Sequence, residues 1–547
     1  MHDLIQEMAL EIVRRECPNE PGRRSRLCSH DDISPVFINN TAIDKIKGII
    51  LHMATPERAN WNCEAFSKML NLKFLEFHNI MISSSPRILP NSLRSIKWSW
   101  YPSEFLPSNF QSKFLIIALE MLVNKLVRLW DGRKDLPNLK KMDLRYSKNL
   151  TTTPDFSSIR NLEELDFGSC MNLVEIHLSI ADLKCLKSLD IGFCSKLKKI
   201  PEFSGQMKNL STLDLQGTSI EKLPSSIGCL VGLTSLLLKD CKNLTGLPSE
   251  ICNLKSLGAL HVNGCSKIDK LLENIGEMEC LRTLLLNGTA IRQLPRSIFG
   301  LKKLKDLSLG GSSGSQPNNS RFLWGLPCFN GRKAFVLASL DGLFSLKNLN
   351  LSNCGLCEGD LPSNIGCLSS LSALKLSGNN FVSLPASIGC LSKLELFWVN
   401  GSQRLQELPD LSKLISLVDI DIAGCTSLKM LSHLSSNCSS VDTNNEIYFT
   451  NCFVLVDNEG CDSIILKMLQ RYLQLQLTTT CPTNSVDAQG QQRHDDEEAS
   501  PSGSGSSHQK SLFCNTYALS EEADLYDVVD EARPRKRKKI DVFGIDL

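Results

Sequence analysis

The amino-acid sequence predicts an α/β solenoid: a horseshoe with short parallel strands on its concave face, a small helical piece at the N-terminus and a disordered C-terminal tail. Three observations predict it. A six-residue apolar frame recurs at nearly constant spacing through most of the chain. The apolar content is aliphatic, with 42% hydrophobic but only 6% aromatic residues, which suits many small equivalent core sites better than one large core. At 547 residues, the chain also exceeds the roughly 100 to 200 residues that a single core usually holds.

The frame is L-x-x-L-x-L, with Phe, Ile, Met, Val or Trp as substitutes. It starts at Leu72, Leu93, Phe114, Leu139, Leu162, Leu186, Leu210, Leu233, Leu257, Leu281, Leu304, Leu346, Leu371, Leu394 and Leu417. These 15 copies stand 21 to 25 residues apart, with a single step of 42. The longer pattern L-x-x-L-x-L-x-x-C/T/N-x-x-L-x-x-L-P, complete from Leu233 to Pro248, is the signature of leucine-rich repeats. Its alternating apolar pair makes a short strand with leucines inward, and the following Cys, Thr or Asn turns the chain and bonds its backbone. Leu223-Pro224, Leu294-Pro295, Leu384-Pro385 and Leu408-Pro409 commit the outer side to extended or short helical backbone, since proline has no ladder donor. Each unit buries its leucines only against its neighbours. The 42-residue step holds the polar, flexible stretch Gly310 to Ser320, which predicts an island loop near 310–333.

Of the 22 cysteines, Cys170, Cys194, Cys241, Cys265, Cys354 and Cys425 fall at the turn position. Cys185, Cys229, Cys252, Cys280, Cys367 and Cys390 fall near the end of the outer segment. Cysteines one repeat apart form a line instead of converging, and the pair Cys354 and Cys357 lacks a partner pair. Buried structural thiols are therefore expected, and no metal site.

Lys and Arg number 60 against 59 Asp and Glu, a net charge of +1, which argues against a general nucleic-acid surface. Asp3, Glu7 and Glu11 interrupt the first apolar residues, unlike a secretory signal. No uncharged run approaches the roughly 18 residues that span a bilayer. A cytoplasmic protein with reduced thiols and no membrane contact is the expectation.

Residues 1 to 16 carry Met1, Leu4, Ile5, Met8 and Ile12 at helical spacing, ended by Pro18 and Pro21. The stretch from Met1-His2-Asp3 to Ala9, with Pro21 to Leu27, resembles the end of the nucleotide-binding module of plant TIR-type nucleotide-binding leucine-rich-repeat immune receptors. Residues 451 to 458 and 464 to 473 resemble the entry to the β-sandwich that follows the repeats in that family. The resemblance implies a remnant of the module's winged-helix end over 1–45, repeats over 46–440 and the start of the post-repeat domain over 441–476. Residues 477–547 read as a polar, low-complexity tail. In the family the Met-His-Asp histidine touches ADP, which would place His2 and Asp3 at a cofactor site. This chain contains no G-x-x-x-x-G-K-[ST], so the backbone cradle for phosphates is missing and no cofactor is expected.

The resemblance further implies a non-enzymatic disease-resistance sensor whose repeats recognise a pathogen effector or a guarded host protein. The alternative is a truncated regulatory or decoy isoform that binds the full-length receptor. NAD hydrolase or ATPase activity would belong only to a full-length form. Near the C-terminus Arg533, Arg535, Lys536, Arg537, Lys538 and Lys539 form a nuclear-import candidate.

The residue between the second and third frame leucines faces outward from the strand, so one column of the concave sheet can be read directly. It runs Asp143, Asp166, Asp190, Asp214, Leu237, His261, Leu285, Ser308, Asn350, Lys375, Trp398 and Asp421. The four aspartates would repel one another and favour a basic partner. Leu237 and Leu285 beside His261, with Trp398 farther along, are candidate hydrophobic anchors.

Overall fold

In the computed structural model, residues 3–429 are described except for 111–114, 206 and 312–341, with backbone alone for 3–6 and 446–448. The chain begins with two α-helices, α1 (Asp3–Glu16) and α2 (His30–Ile38). Ser29 caps α2 by accepting the Asp32 N–H at 3.3 Å, and Asp31 and Asp32 in its first turn suit the positive end of the helix. Buried Arg24 ties the two helices' surroundings together: it donates to the carbonyls of Cys17 and Pro18 at 2.8 Å each and pairs with Asp32 at 2.9 Å.

From Arg26 onward the described chain builds one parallel sheet of 18 strands, most of them three residues long. Each strand pairs with the next in sequence, as Leu213, Leu236, Leu260 and Leu284 do side by side. These middle residues are fully buried, and so are the flanking frame leucines such as Leu233 and Leu238. The core is thus a stack of leucines behind the sheet, each layer closed by the next. On the far side short 3₁₀ turns follow the prolines: Pro224, Pro248, Pro295 and Pro385 directly precede Ser225–Cys229, Ser249–Asn253, Arg296–Gly300 and Ala386–Cys390. Strand inside and short helical turn outside is the architecture expected from the repeat pattern.

The turn position does more than reverse the chain. The Cys170 thiol donates to the Leu144 carbonyl of the preceding repeat at 3.2 Å; Cys194, Cys241, Cys265 and Cys425 donate likewise to Phe167, Leu215, Leu238 and Val399. Each acceptor also takes the N–H of its own repeat's turn, as Phe167 does from Cys170. Thr218, with its hydroxyl at 2.7 Å from the Leu215 carbonyl, and Asn379, reaching Leu351 and Leu376, occupy the same place. Burial pushes the Cys170 and Cys354 thiols up to about 12, which keeps them protonated donors. On the outer side the expectation of buried thiols fails for Cys229, Cys367 and Cys390, which are exposed, whereas Cys252 is buried. Those three are the last residues of their 3₁₀ turns, whereas Cys252 stands one residue before the end of its own.

Two registers differ from the sequence expectation. Leu119, not Ile117, pairs with Met142 and Ile96, so the third frame starts at Ile116 and its neighbours lie 23 residues away on both sides. A further copy, Ile46-Ile49-Leu51, pairs through Ile49 with Leu75. The strands on either side of the long step, Asp306–Ser308 and Asn348–Asn350, pair directly; the expected island loop falls at 312–341, outside the described residues. At the other end Ile447 pairs with Ile420, carrying the sheet past residue 440. The tail expected over 477–547 lies outside the described residues.

Candidate partner-binding face

The strand register places the whole predicted column in line: Asp143, Asp166, Asp190, Asp214, Leu237, His261 and Leu285 are each paired with the next. Ser308, Asn350, Lys375, Trp398 and Asp421 continue it. Leu237, His261 and Leu285 are adjacent and half-buried. Trp398 stands four strands beyond Leu285, roughly 19 Å at the usual spacing, and the Lys375 ammonium sits 4.0 Å from its ring centre. The described face therefore has two apolar points separated by polar strands.

The aspartates differ from the outward-facing charges expected. Asp143 and Asp214 are buried. Each aspartate lends Oδ1 to the N–H two residues on: Arg145, Gly168, Gly192 and Gln216 donate at 2.7 to 3.1 Å. Asn350 does the same for Ser352, so in these repeats the position supplies a short side-chain acceptor that closes the strand's end, with or without charge. Arg145 grips Asp143 through two nitrogens and reaches Asp166 at 3.2 Å. Burial, reinforced by the Asp190 charge, pushes Asp166 and Asp214 up to about 7; burial also raises Asp190. The ladder is consequently a partly protonated strip near neutral pH.

The column extends in the other direction through Glu120, Lys97 and Glu76. Glu120 stayed hidden in the sequence because the overlapping frame at Phe114 placed Ala118 there. Flanking charges pair across strands: Lys140 and Lys187 both reach Glu163, at 3.0 and 2.6 Å, and Lys141 reaches Glu120 at 3.4 Å. These exposed pairs each contribute little stability, but they neutralise the flank and leave Asp190 and Asp214 without an ion pair among the described residues.

A second column appears only in the structure. Two residues beyond the third frame leucine, the backbone is left-handed in repeat after repeat: Trp100, Val123, Tyr146, Ser169 and Phe193 have φ between 50 and 66°, and Gly217, Gly264, Gly288, Gly378, Gly401 and Gly424 have φ between 66 and 80°. The glycines in the later repeats were a readable signal; the bulky residues in the earlier ones concealed it.

Among the described residues no three His, Cys, Asp or Glu side chains converge as metal ligands, and no helix is long and apolar enough to cross a membrane. His2 and the Asp3 side chain, and the basic cluster of Arg533, Arg535, Lys536, Arg537, Lys538 and Lys539, lie outside the described residues.

Comparison with known proteins places these features in a group. A family model described as a leucine-rich repeat region matches residues 144–267 and 326–453. TMV resistance protein N of Nicotiana glutinosa is 37% identical over 445 residues, covering 77% of this chain and 37% of that protein. Disease resistance protein RPS6 of Arabidopsis thaliana is 39% identical over 190 residues, 33% of this chain and 17% of that protein. This chain thus spans little more than a third of the length of the first of these relatives. Among solved structures, a leucine-rich-repeat protein of Leptospira interrogans aligns with a TM-score of 0.47 at 24% identity, covering 62% of this chain and 89% of that one.

Proposed function

From its likeness to plant disease resistance proteins and its leucine-rich repeat region, we propose that the chain is of the plant TIR-type resistance family and serves defence by non-covalent protein recognition. The partner is a pathogen effector or a guarded host protein, bound on the strand face. The observation that carries this reading is the continuous in-register column with Leu237, His261 and Leu285 side by side. The two half-buried leucines give a partner apolar area to cover, and the polar strands on either side bound it. The proposed role needs no cofactor and no catalytic group; binding to a full-length receptor would use the same face.

Proximity labelling in leaf tissue, with and without infection, tests it. The full chain should label a partner set that changes on infection, and the double substitution Leu237→Ser with Leu285→Ser should erase that change while leaving the melting temperature within a few degrees. A partner set that infection does not alter, or that survives the substitutions, overturns the assignment.

A further inference from the structure

The left-handed column carries two large rings that the interior does not hold. Tyr146 and Phe193, at φ 61 and 59°, are 41% and 46% exposed, although an L-residue there costs roughly 1–2 kcal/mol that glycine avoids. Phe193 leans on Gly217: its Cδ1 lies 2.6 Å from where a Cβ on that glycine would stand. Between the rings, roughly 10 Å apart at two strand spacings, stands only Ser169.

Beside this rim two successive repeats lack a side chain, and the aspartates close over the backbone, which is buried there. Where neighbouring repeats carry Arg145 and Gln216, the intervening two carry Gly168 and Gly192. A Cβ at Gly168 would lie 3.1 Å from Asp166 Oδ1 and 3.4 Å from Arg145 Cγ; one at Gly192 would lie 3.1 Å from Asp190 Oδ1 and 3.3 Å from Asp214 Oδ1. The stretch is lined by carboxylate oxygen and ends at Arg145 and Gln216. Asp166 Oδ2 is held by Arg145 and Asp214 Oδ2 by the Gln216 amide at 3.0 Å. Asp190 Oδ2 accepts no hydrogen bond among the described residues.

We propose that the rim of Tyr146 and Phe193, with the carboxylate strip of Asp166, Asp190 and Asp214 beside it, docks a protein segment that presents an arginine or lysine between aliphatic side chains. Charge complementarity selects this occupant. Of three adjacent carboxylates only Asp166 has an ion-pair partner, Arg145, among the described residues, and the open oxygen belongs to the middle one, Asp190. The two exposed rings give the stem of a cationic side chain an apolar seat and its head a π face. The inference rests on the protein-recognition reading above and names the chemistry of its partner.

The test is fluorescence anisotropy on the full chain with two labelled octapeptides, one alternating Arg and Leu, the other Glu and Leu. The Arg peptide should bind at least tenfold more tightly. Asp190→Asn, which keeps the acceptor for the Gly192 N–H, and the pair Tyr146→Ser with Phe193→Ser should each weaken it roughly tenfold, about 1.4 kcal/mol, with the melting temperature unchanged. Equal affinity for the two peptides, or full affinity in these variants, overturns the proposal. The leaf labelling experiment separates the two readings. An infection-dependent partner lost with the Leu237 and Leu285 substitutions but kept with the Asp190, Tyr146 and Phe193 substitutions sinks this inference alone. Arg-peptide binding without any infection-dependent partner sinks the broader reading alone.

Discussion

The strands up to Asp214 and those from Leu237 onward share one interior and build the same turn by opposite means. In the earlier run the left-handed position holds Asn79, Trp100, Val123, Tyr146, Ser169 and Phe193, with glycine only at Gly217; in the later run it is mostly glycine, with Asp240 and Asn353 as the non-glycine members. Asp240 and Asn353 are of the residue types that tolerate this region best. The column beside it is acidic in the earlier run and mixed in the later one. The difference teaches that backbone geometry here is set by the ladder and not by the residue placed on it, since the same φ recurs over tryptophan and glycine alike. The earlier run gives up stability for side chains on its surface, and the later run does not.

The largest expected effect comes from importing the strained choice into the relaxed run. Gly264→Val should cost about 3 kcal/mol, because φ is +80° and a Cβ there would stand 2.1 Å from Asp240 Oδ1. The reverse change, Val123→Gly, should raise stability by about 1 kcal/mol, as a β-branched residue leaves a conformation that glycine adopts freely. Urea unfolding of both variants measures this; if both lose stability, the two positions are not equivalent.

A smaller effect per residue separates the runs by pH. Ordinary aspartates titrate near pH 4, whereas Asp166 and Asp214 titrate at about 7 when folded and Asp190 is raised in the same direction. The folded protein then holds protons that the unfolded chain has released. The stability these groups contribute is complete below pH 4 and is lost as pH rises through 7. Melting temperature should fall between pH 5 and pH 8, by up to roughly 2–3 kcal/mol for each carboxyl that titrates at about 7, with Arg145 and Asp143 as the charges facing the strip. The triple Asp166→Asn, Asp190→Asn, Asp214→Asn variant, copying Asn350, should flatten that slope; an unaltered slope would place its origin elsewhere.

The smallest effect probes what the runs have in common. Cys170→Ser and Cys425→Ser should each change stability by less than about 1 kcal/mol, because a hydroxyl keeps a donor at the same position. Cys170→Val and Cys425→Val should cost about 1 kcal/mol more by leaving the Leu144 and Val399 carbonyls short of a partner. Thermal melts of the four variants compare the runs directly.

Much of the fold was legible because burial enforces it: every inward leucine closes the layer beside it, so the frame must repeat and the strand register follows. The copy at Phe114 misled because Phe114, Ile116, Ile117, Leu119 and Met121 satisfy two overlapping frames, and only the evenness of the spacing separates them. The candidate face was half legible. Its membership followed from alternation, but the role of the aspartates did not, since an acceptor for the strand's end and a docking charge look alike as Leu-Asp-Leu. The rim of Tyr146 and Phe193 was not legible, because its cause is a backbone angle that bulky residues give no reason to expect.

The thiol that reaches back to the preceding repeat has a consequence for inheritance. Cys and Asn both complete that bond, so a block of whole repeats can be duplicated, deleted or exchanged and the new neighbours will still join. A cut within a repeat breaks the bond, while a cut between repeats preserves it. The surface can therefore be reshuffled in units of 23 to 25 residues at little structural risk, with new combinations of column residues arriving already in register.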